Sequence, residues 1–205
     1  MKKFKKMVIS PHIDDDVLGC GGIMDEDTYV LYVGNGHSKN VISKEDRIKE
    51  ADDVKKLLGH EYHILDNEVD NYEVYKLIND FEEHIDKIKP EELYVPHPSY
   101  NQDHRVVYEA AMIATRPHDN NHFVKKVLLY EQPQVYLWNT TNREFKPNYF
   151  VPIKIERKIE ACKLMKSQVR TFRSPSLIID MSRVRGKQVG KEHSVEAFEI
   201  LRWVD

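Results

Sequence analysis

The sequence predicts an α/β fold: a mostly parallel sheet with helices on both faces. Short β-branched and aromatic runs alternate with longer segments of helical spacing from one end of the chain toward the other. Parallel strands need crossovers, and those are right-handed helices. The most chemically crowded stretches also fall where strands end, the edge at which open α/β sheets bind ligands.

Lys5 to Ser10 reads as the first strand, with Leu18 to about Asp25 as a short glycine-rich helix or loop after an acidic turn. Thr28 to Val33 is a second strand, stopped by Gly34-Asn35-Gly36. Ser43 to Leu58 is a helix with Ser43 at the N-cap, Ile48, Ala51, Val54 and Leu58 at helical spacing, and Gly59 as its stop. Glu61 to Leu65 is a third strand. Asn71 to Lys89 is a second long helix, with Leu77, Phe81 and Ile85 on one face and Pro90 as breaker. Leu93 to Val95 and Val124 to Tyr130 are strands either side of a helix from about Asp103 to Thr115. Beyond them, Pro133, Trp138, Pro147 and Pro152 mark a region expected to hold an edge hairpin, and Ile153 to about Thr171 a strongly basic helix. The whole is Rossmann-like and reads as one domain over residues 1–205.

A chain of 205 residues with 40% apolar and 32% charged residues can bury a core, removing roughly 70% of its unfolded surface from water. Its 31 basic and 34 acidic residues leave a net charge of −3, which gives no general attraction to nucleic acid or anionic membrane. The basic N-terminus is not followed by a secretory apolar region, and no window approaches a membrane span, so a cytoplasmic protein acting on a small molecule is expected. Cys20 and Cys162 are far apart and suggest packing residues, with neither a disulfide framework nor a thiolate metal site.

Ser10 to Gly22, Ser-Pro-His-Ile-Asp-Asp-Asp-Val-Leu-Gly-Cys-Gly-Gly, carries the chemistry. Three adjacent aspartates raise one another's pKa unless a cation sits among them. His12 and Asp15 are three apart, so a turn can bring an imidazole nitrogen and a carboxylate oxygen to one metal ion, a ligand set that suits zinc. Asp14, between them, is placed to act as general base on a water. Taken alone, the cluster reads equally as a helix cap with solvated acids. A second stretch, Pro96 to Arg105, opens on the same sheet edge; there His104 completes a His-Asp-His set and Asp103 can orient a histidine from behind. With both stretches in view, the metal reading is preferred.

The paired motifs resemble those of the zinc-dependent N-acetylglucosaminyl deacetylases of the PIG-L/LmbE-like family, whose signature is His-Pro-Asp-Asp-Glu-x-x-Gly-x-Gly-Gly with a later Asp-His pair. Arg47 and Glu50 match an Arg-x-x-Glu, Phe145-Lys-Pro-Asn-Tyr-Phe150 a Phe-x-Pro-Asn-x-Phe, and Glu196-Ala197-Phe198 a C-terminal Glu-Ala-Phe. The resemblance implies zinc on His12, Asp15 and His104, Asp14 as base, and Arg47 as a contact to the sugar, although an Arg on an amphipathic helix is by default a solvated charge. It also implies self-association, since members of the family are often oligomeric. Two positions depart from the pattern. Asp16 replaces a Glu that is one methylene longer, which alters any hydrogen bond made from behind the ligands. Asn101 replaces a histidine and can donate to an oxyanion but cannot act as an acid, so Asp14 must both take and return the proton.

The expected reaction is hydrolysis of the acetamide of a free or glycan-linked amino sugar, giving acetate and an amine. Tyr100, Arg116, Tyr136 and Trp138 lie on segments that can rim the pocket. Competing readings are a nucleotide-binding enzyme, weakened because Met24 stands at the third glycine position; a metal-dependent phosphoesterase; and a sugar-binding protein on the same scaffold.

Overall fold

The computed structural model describes residues 3–35, 42–65, 67–118, 121–138 and 143–205. Gly36 of the expected turn lies outside these. Seven strands form one sheet in the order β3-β2-β1-β4-β5-β7-β6. β1 (Lys6–Ser10), β2 (Thr28–Tyr32), β3 (Glu61–Ile64), β4 (Glu92–Pro96) and β5 (Lys126–Tyr130) are parallel. β1 lies between β2 and β4, so the chain winds one way through β2 and β3 and the other way through β4 and β5. The crevice at the C-terminal ends of β1 and β4 is therefore a topological switch point.

Both faces of the sheet are covered, which is why β1 reads as an unbroken apolar run. Met7 and Ile9 join one core with Leu77, Phe81 and Ile85 of α3 (Val74–Ile88) and Val107 and Ala111 of α4 (Gln102–Ala114). Val8 joins the other, with Val17 of α1 (Asp15–Cys20), Ala51, Val54 and Leu58 of α2 (Lys44–Leu58), Ile159 of α6 (Ile155–Leu164) and Ile178 of α7 (Pro175–Gln188). Local signals set the helix ends. The Ser43 side chain accepts from the Asp46 backbone N–H, and Gly59 closes α2 at φ 84°, a left-handed conformation that glycine adopts without steric cost.

Several local expectations need correction. The acidic turn itself begins α1, so Asp15 and Asp16 lie in its first turn. The expected edge hairpin is a short helix, α5 (Pro133–Leu137), and a strand, β6 (Tyr149–Pro152), whose partner is not a hairpin mate but the distant β7 (Val195–Trp203). β7 also pairs antiparallel with β5, so the pairing on this side of the sheet departs from the parallel pattern of the rest.

The basic helix ends at Leu164 and is followed by two 3-10 turns, Lys166–Gln168 and Thr171–Arg173. A tertiary clamp holds the first of these turns: Ser167 donates its backbone N–H and its hydroxyl to the two oxygens of Glu50 on α2, at 2.9 and 2.6 Å. Nor is the basic helix only a solvated face. Lys158 is buried against Glu196, and Arg157 donates to the carbonyls of Leu57 and Leu58. Among the described residues, no helix is long and apolar enough to cross a membrane.

Candidate metal centre and active site

The first half of the site is shaped by Ser10 at the end of β1. Its hydroxyl donates to the His12 carbonyl at 2.7 Å and accepts from the Asp16 backbone N–H at 3.0 Å, tying the strand end to the first turn of α1. Gly19 lets that helix lie against β5, because a Cβ there would stand 2.2 Å from Cδ2 of Tyr130. Asp15 Oδ2 accepts from the His12 backbone N–H at 3.1 Å and lies 3.0 Å from His12 Nδ1. The second half comes from the start of α4, where Asn101 caps the helix by accepting from the Asp103 backbone N–H at 2.8 Å. From the first turn of α4, His104 Nε2 reaches to 3.2 Å from the same Asp15 Oδ2.

Two imidazole nitrogens thus converge on one carboxylate oxygen, and the ligand atoms of His12, Asp15 and His104 lie within 4.8 Å of one another. This is a three-donor nitrogen and oxygen set of the kind that zinc and other divalent transition metals take in catalytic sites. His12 Nε2 is 2.9 Å from Asp103 Oδ2, so the ring is held by a carboxylate on its other side. Asp103 Oδ2 also accepts from the Asp70 backbone N–H at 2.9 Å. His104 has no such support: its Nδ1 is buried with no hydrogen bond among the described residues.

Electrostatics follow from burial of so much negative charge. Burial works against a charge on His12, yet the hydrogen bonds to Asp103 and Asp15 outweigh it and raise its pKa to about 10. Burial likewise opposes the Asp15 carboxylate, but His104 and His12 hold it well below the usual range. Asp14 is pushed up by burial and by Asp15, with Arg173 and Arg47 pulling the other way. The site therefore favours positive charge where the three donors meet, which fits a metal cation.

Asp14, Asp15, Asp16, Arg47, Asp103 and His104 are buried, and His12 and Asn101 partly buried. Asp14 accepts from Arg173 Nη1 at 2.8 Å through its Oδ2. Asp16 is fully buried, accepts from the Tyr32 hydroxyl at 2.8 Å, and leaves Oδ1 without a partner among the described residues; burial raises its pKa to about 7. Asn101 uses its oxygen as the α4 cap, and its amide NH2 makes no hydrogen bond among the described residues. Arg47 is not a solvated charge. It is 1% exposed, with Nη1 on Ser167 at 3.0 Å and on Glu50 at 3.4 Å, and Nε on the Asn35 carbonyl. Arg116 does not belong to a rim, since it follows the far end of α4 from His104 and pairs with Glu82. Tyr100 and Trp138 are exposed and lie with their rings 5.2 Å apart. The sequence reading missed Arg173, Asp70 and the Glu50–Ser167 clamp. The only local hint was the run of basic residues from Lys163 to Arg173.

Fold and site together define a doubly wound α/β protein with a candidate metal centre at its switch point. The family model described as PIG-L, GlcNAc-PI de-N-acetylase, matches residues 7–115, and the chain belongs to that family. Membership supports a deacetylase or related hydrolase. No curated protein sequence matches the chain. Among solved structures, it is similar to the conserved protein TT1542 from Thermus thermophilus, with TM-score 0.79, 21% identity, and 98% of this chain and 96% of that one covered. It is also similar to GalB, the 4-carboxy-2-hydroxymuconate hydratase from Pseudomonas putida KT2440, with TM-score 0.77, 19% identity, and 100% and 99% covered. A third, the A40926 pseudoaglycone deacetylase Dbv21, has TM-score 0.72 and 15% identity, with 100% of both chains covered. At these identities the likeness is one of fold.

Proposed function

We propose that this protein is a zinc-dependent deacetylase that hydrolyses the acetamide of an N-acetylated amino sugar of the N-acetylglucosamine type. The observation that carries the reading is the convergence of His12 and His104 on Asp15 Oδ2, with the buried Asp14 carboxylate next in the chain. His12, Asp15 and His104 would hold the metal. When bound, the metal supplies Lewis-acid polarisation of the carbonyl and makes a water more acidic.

Asp14 takes the proton of the attacking water as its oxygen adds to the acetamide carbon. Arg173 fixes Asp14 Oδ2, leaving Oδ1 as the oxygen available for that proton. Burial raises the proton affinity of Asp14, as a base in this role requires. The Asn101 amide NH2, set by its helix cap, is the group we assign to the oxyanion. Asp14 then returns the proton to the nitrogen as the C–N bond breaks, giving acetate and a free amine. Asp103 supports His12 from behind, Asp16 is turned instead to the Tyr32 hydroxyl, and Arg47 supports the segment that carries Arg173, through Ser167.

Acetate release by the zinc-loaded protein from free, nucleotide-linked and glycan-linked N-acetylhexosamines, beside Asp14→Asn, tests this. The variant should keep the metal and lose roughly a hundredfold or more in turnover. Near-normal activity in the variant would remove Asp14 as base. No acetate from any sugar with metal bound would overturn the deacetylase reading.

A further inference from the structure

The loop between β3 and α3 touches both half-sites. Its Tyr72 hydroxyl donates to the Pro11 carbonyl at 2.8 Å, one residue before His12, and the Tyr72 and His12 rings lie 6.2 Å apart. On the other side, two consecutive residues in the first turn of α4 grip one residue of the same loop, Asp70. Its backbone N–H donates to Asp103 Oδ2 at 2.9 Å, and its carbonyl accepts from Gln102 Nε2. Asp70 is the third residue of a turn closed by the Asn71 N–H on the Glu68 carbonyl at 3.2 Å, and its φ is 65°. Turns with positive φ at that place favour Gly or Asn. Among the described residues the other non-glycine with positive φ is Lys89, which closes α3. Asp70 closes no helix.

A backbone N–H on a carboxylate often does no more than anchor a loop. Asp103 differs in being fully buried with few partners. Its Oδ2 faces His12 Nε2 at 2.9 Å and takes the Asp70 N–H, while Oδ1 has no hydrogen bond among the described residues. Apart from His12, the Asp70 amide is therefore the one donor to this side chain among the described residues. A hydrogen bond to an ionised acceptor is roughly twice as strong as one between neutral groups. Without it, the Asp103 carboxyl is free to turn away from the imidazole.

We propose that Asp70 is a positioning residue of the candidate metal centre: its left-handed backbone, locked by Gln102, holds Asp103 against His12 and so raises the affinity for the metal. The inference rests on the reading of His12 as a ligand given above. The role belongs to the backbone, so what position 70 requires is a residue that accepts positive φ, not a carboxylate. Glycine adopts that conformation without steric cost, whereas a β-branched residue there is a conformational outlier. Holding the ring through Asp103 fixes its orientation before the metal binds, which lowers the ordering cost of binding.

The test is zinc affinity, by competition with a chelator, in the parent, Asp70→Gly, Asp70→Val and Gln102→Leu, with urea unfolding of each metal-free protein alongside. Asp70→Gly should bind zinc within about twofold of the parent, and Asp70→Val about tenfold more weakly, the low end for a disturbed carboxylate partner of a ligating histidine. Gln102→Leu should weaken binding in the same direction. The His12 Nε2 proton, followed by NMR in the zinc-loaded protein, should stay protected from exchange in the parent and Asp70→Gly and lose protection in Asp70→Val, a change that looser folding elsewhere would not produce. Parent-like affinity in a folded Asp70→Val, or an equal loss in Asp70→Gly, would overturn the inference. If Asp70→Val does not fold, Gln102→Leu decides, and parent-like affinity there overturns it. Acetate release from N-acetylhexosamines is measured on the parent. The expected zinc pattern without acetate keeps the inference and counts against the deacetylase reading; acetate release with unchanged zinc affinities does the reverse. A parent that binds no zinc removes the metal reading and this inference with it.

Discussion

His12 Nε2 stands 2.9 Å from Asp103 Oδ2, across 91 residues of chain, while the other nitrogen of the same ring faces Asp15. The ring is therefore fixed in rotation before any cation arrives. Replacing Asp103 with Asn should weaken zinc binding roughly 10- to 100-fold, read by competition with a chelator of known affinity. An unchanged affinity would mean that the contact does not support the ligand.

On the reading proposed above, His104 is the ligand supplied by the second half-site. His104→Ala should leave a folded protein that does not retain stoichiometric zinc after dialysis, measured by elemental analysis. The parent should gain thermal stability on zinc addition, by about 3 kcal/mol at a hundredfold excess over the dissociation constant, and the variant should gain far less.

Gly19 sets how closely α1 approaches the sheet. A Cβ at that position meets the Tyr130 ring at 2.2 Å, and Tyr130 is itself tied to the Ile9 carbonyl at 3.0 Å, so the ring cannot readily yield. Gly19→Ala should cost about 1–3 kcal/mol in denaturant unfolding. Because α1 carries Asp15, it should also weaken metal binding.

The Lys158–Glu196 pair is buried, 2.6 Å long, with side chains 5% and 3% exposed. Glu196 also accepts from the Gly22 backbone N–H at 2.7 Å, so the pair joins α6, β7 and the glycine turn after α1. Lys158→Met leaves Glu196 as a buried charge without its counter-ion, and about 3–5 kcal/mol of stability should be lost in urea unfolding. Converting Glu196 to Gln in the same chain should recover part of that loss.

His60 is fully buried, and neither ring nitrogen has a hydrogen bond among the described residues. Burial, with Lys55 and Arg157 nearby and Glu61 opposing them, lowers its pKa from 6.5 to about 4. The unfolded chain therefore takes up the proton first as pH falls. The stability contributed by neutral His60 is complete above pH 6.5 and is lost between 6.5 and 4, by about 3 kcal/mol. Stability measured across that window should fall less steeply in His60→Phe than in the parent.

The sequence by itself determined the elements and the chemistry that depend on short-range spacing. Ser43 and Gly59 announce the ends of α2 because a cap and a left-handed stop are contacts within one helical turn. His12 and Asp15 announce each other because three residues bring their side chains together. The parallel sheet was legible because burial on both faces requires continuous apolar strands separated by crossover helices.

Tertiary structure alone decided the rest. Nothing near Tyr149–Pro152 signals that its partner is Val195–Trp203, or that this partner lies between it and β5, because strand pairing over long separations leaves no local mark. The same holds for Arg173, which reaches Asp14 across 159 residues, and for Arg47, which lies buried against Ser167 from 120 residues away. A charged residue looks alike in sequence whether water or a carboxylate surrounds it. Only the packing that excludes water from one side of α2 and the segment after α6 brings these arginines to the candidate site.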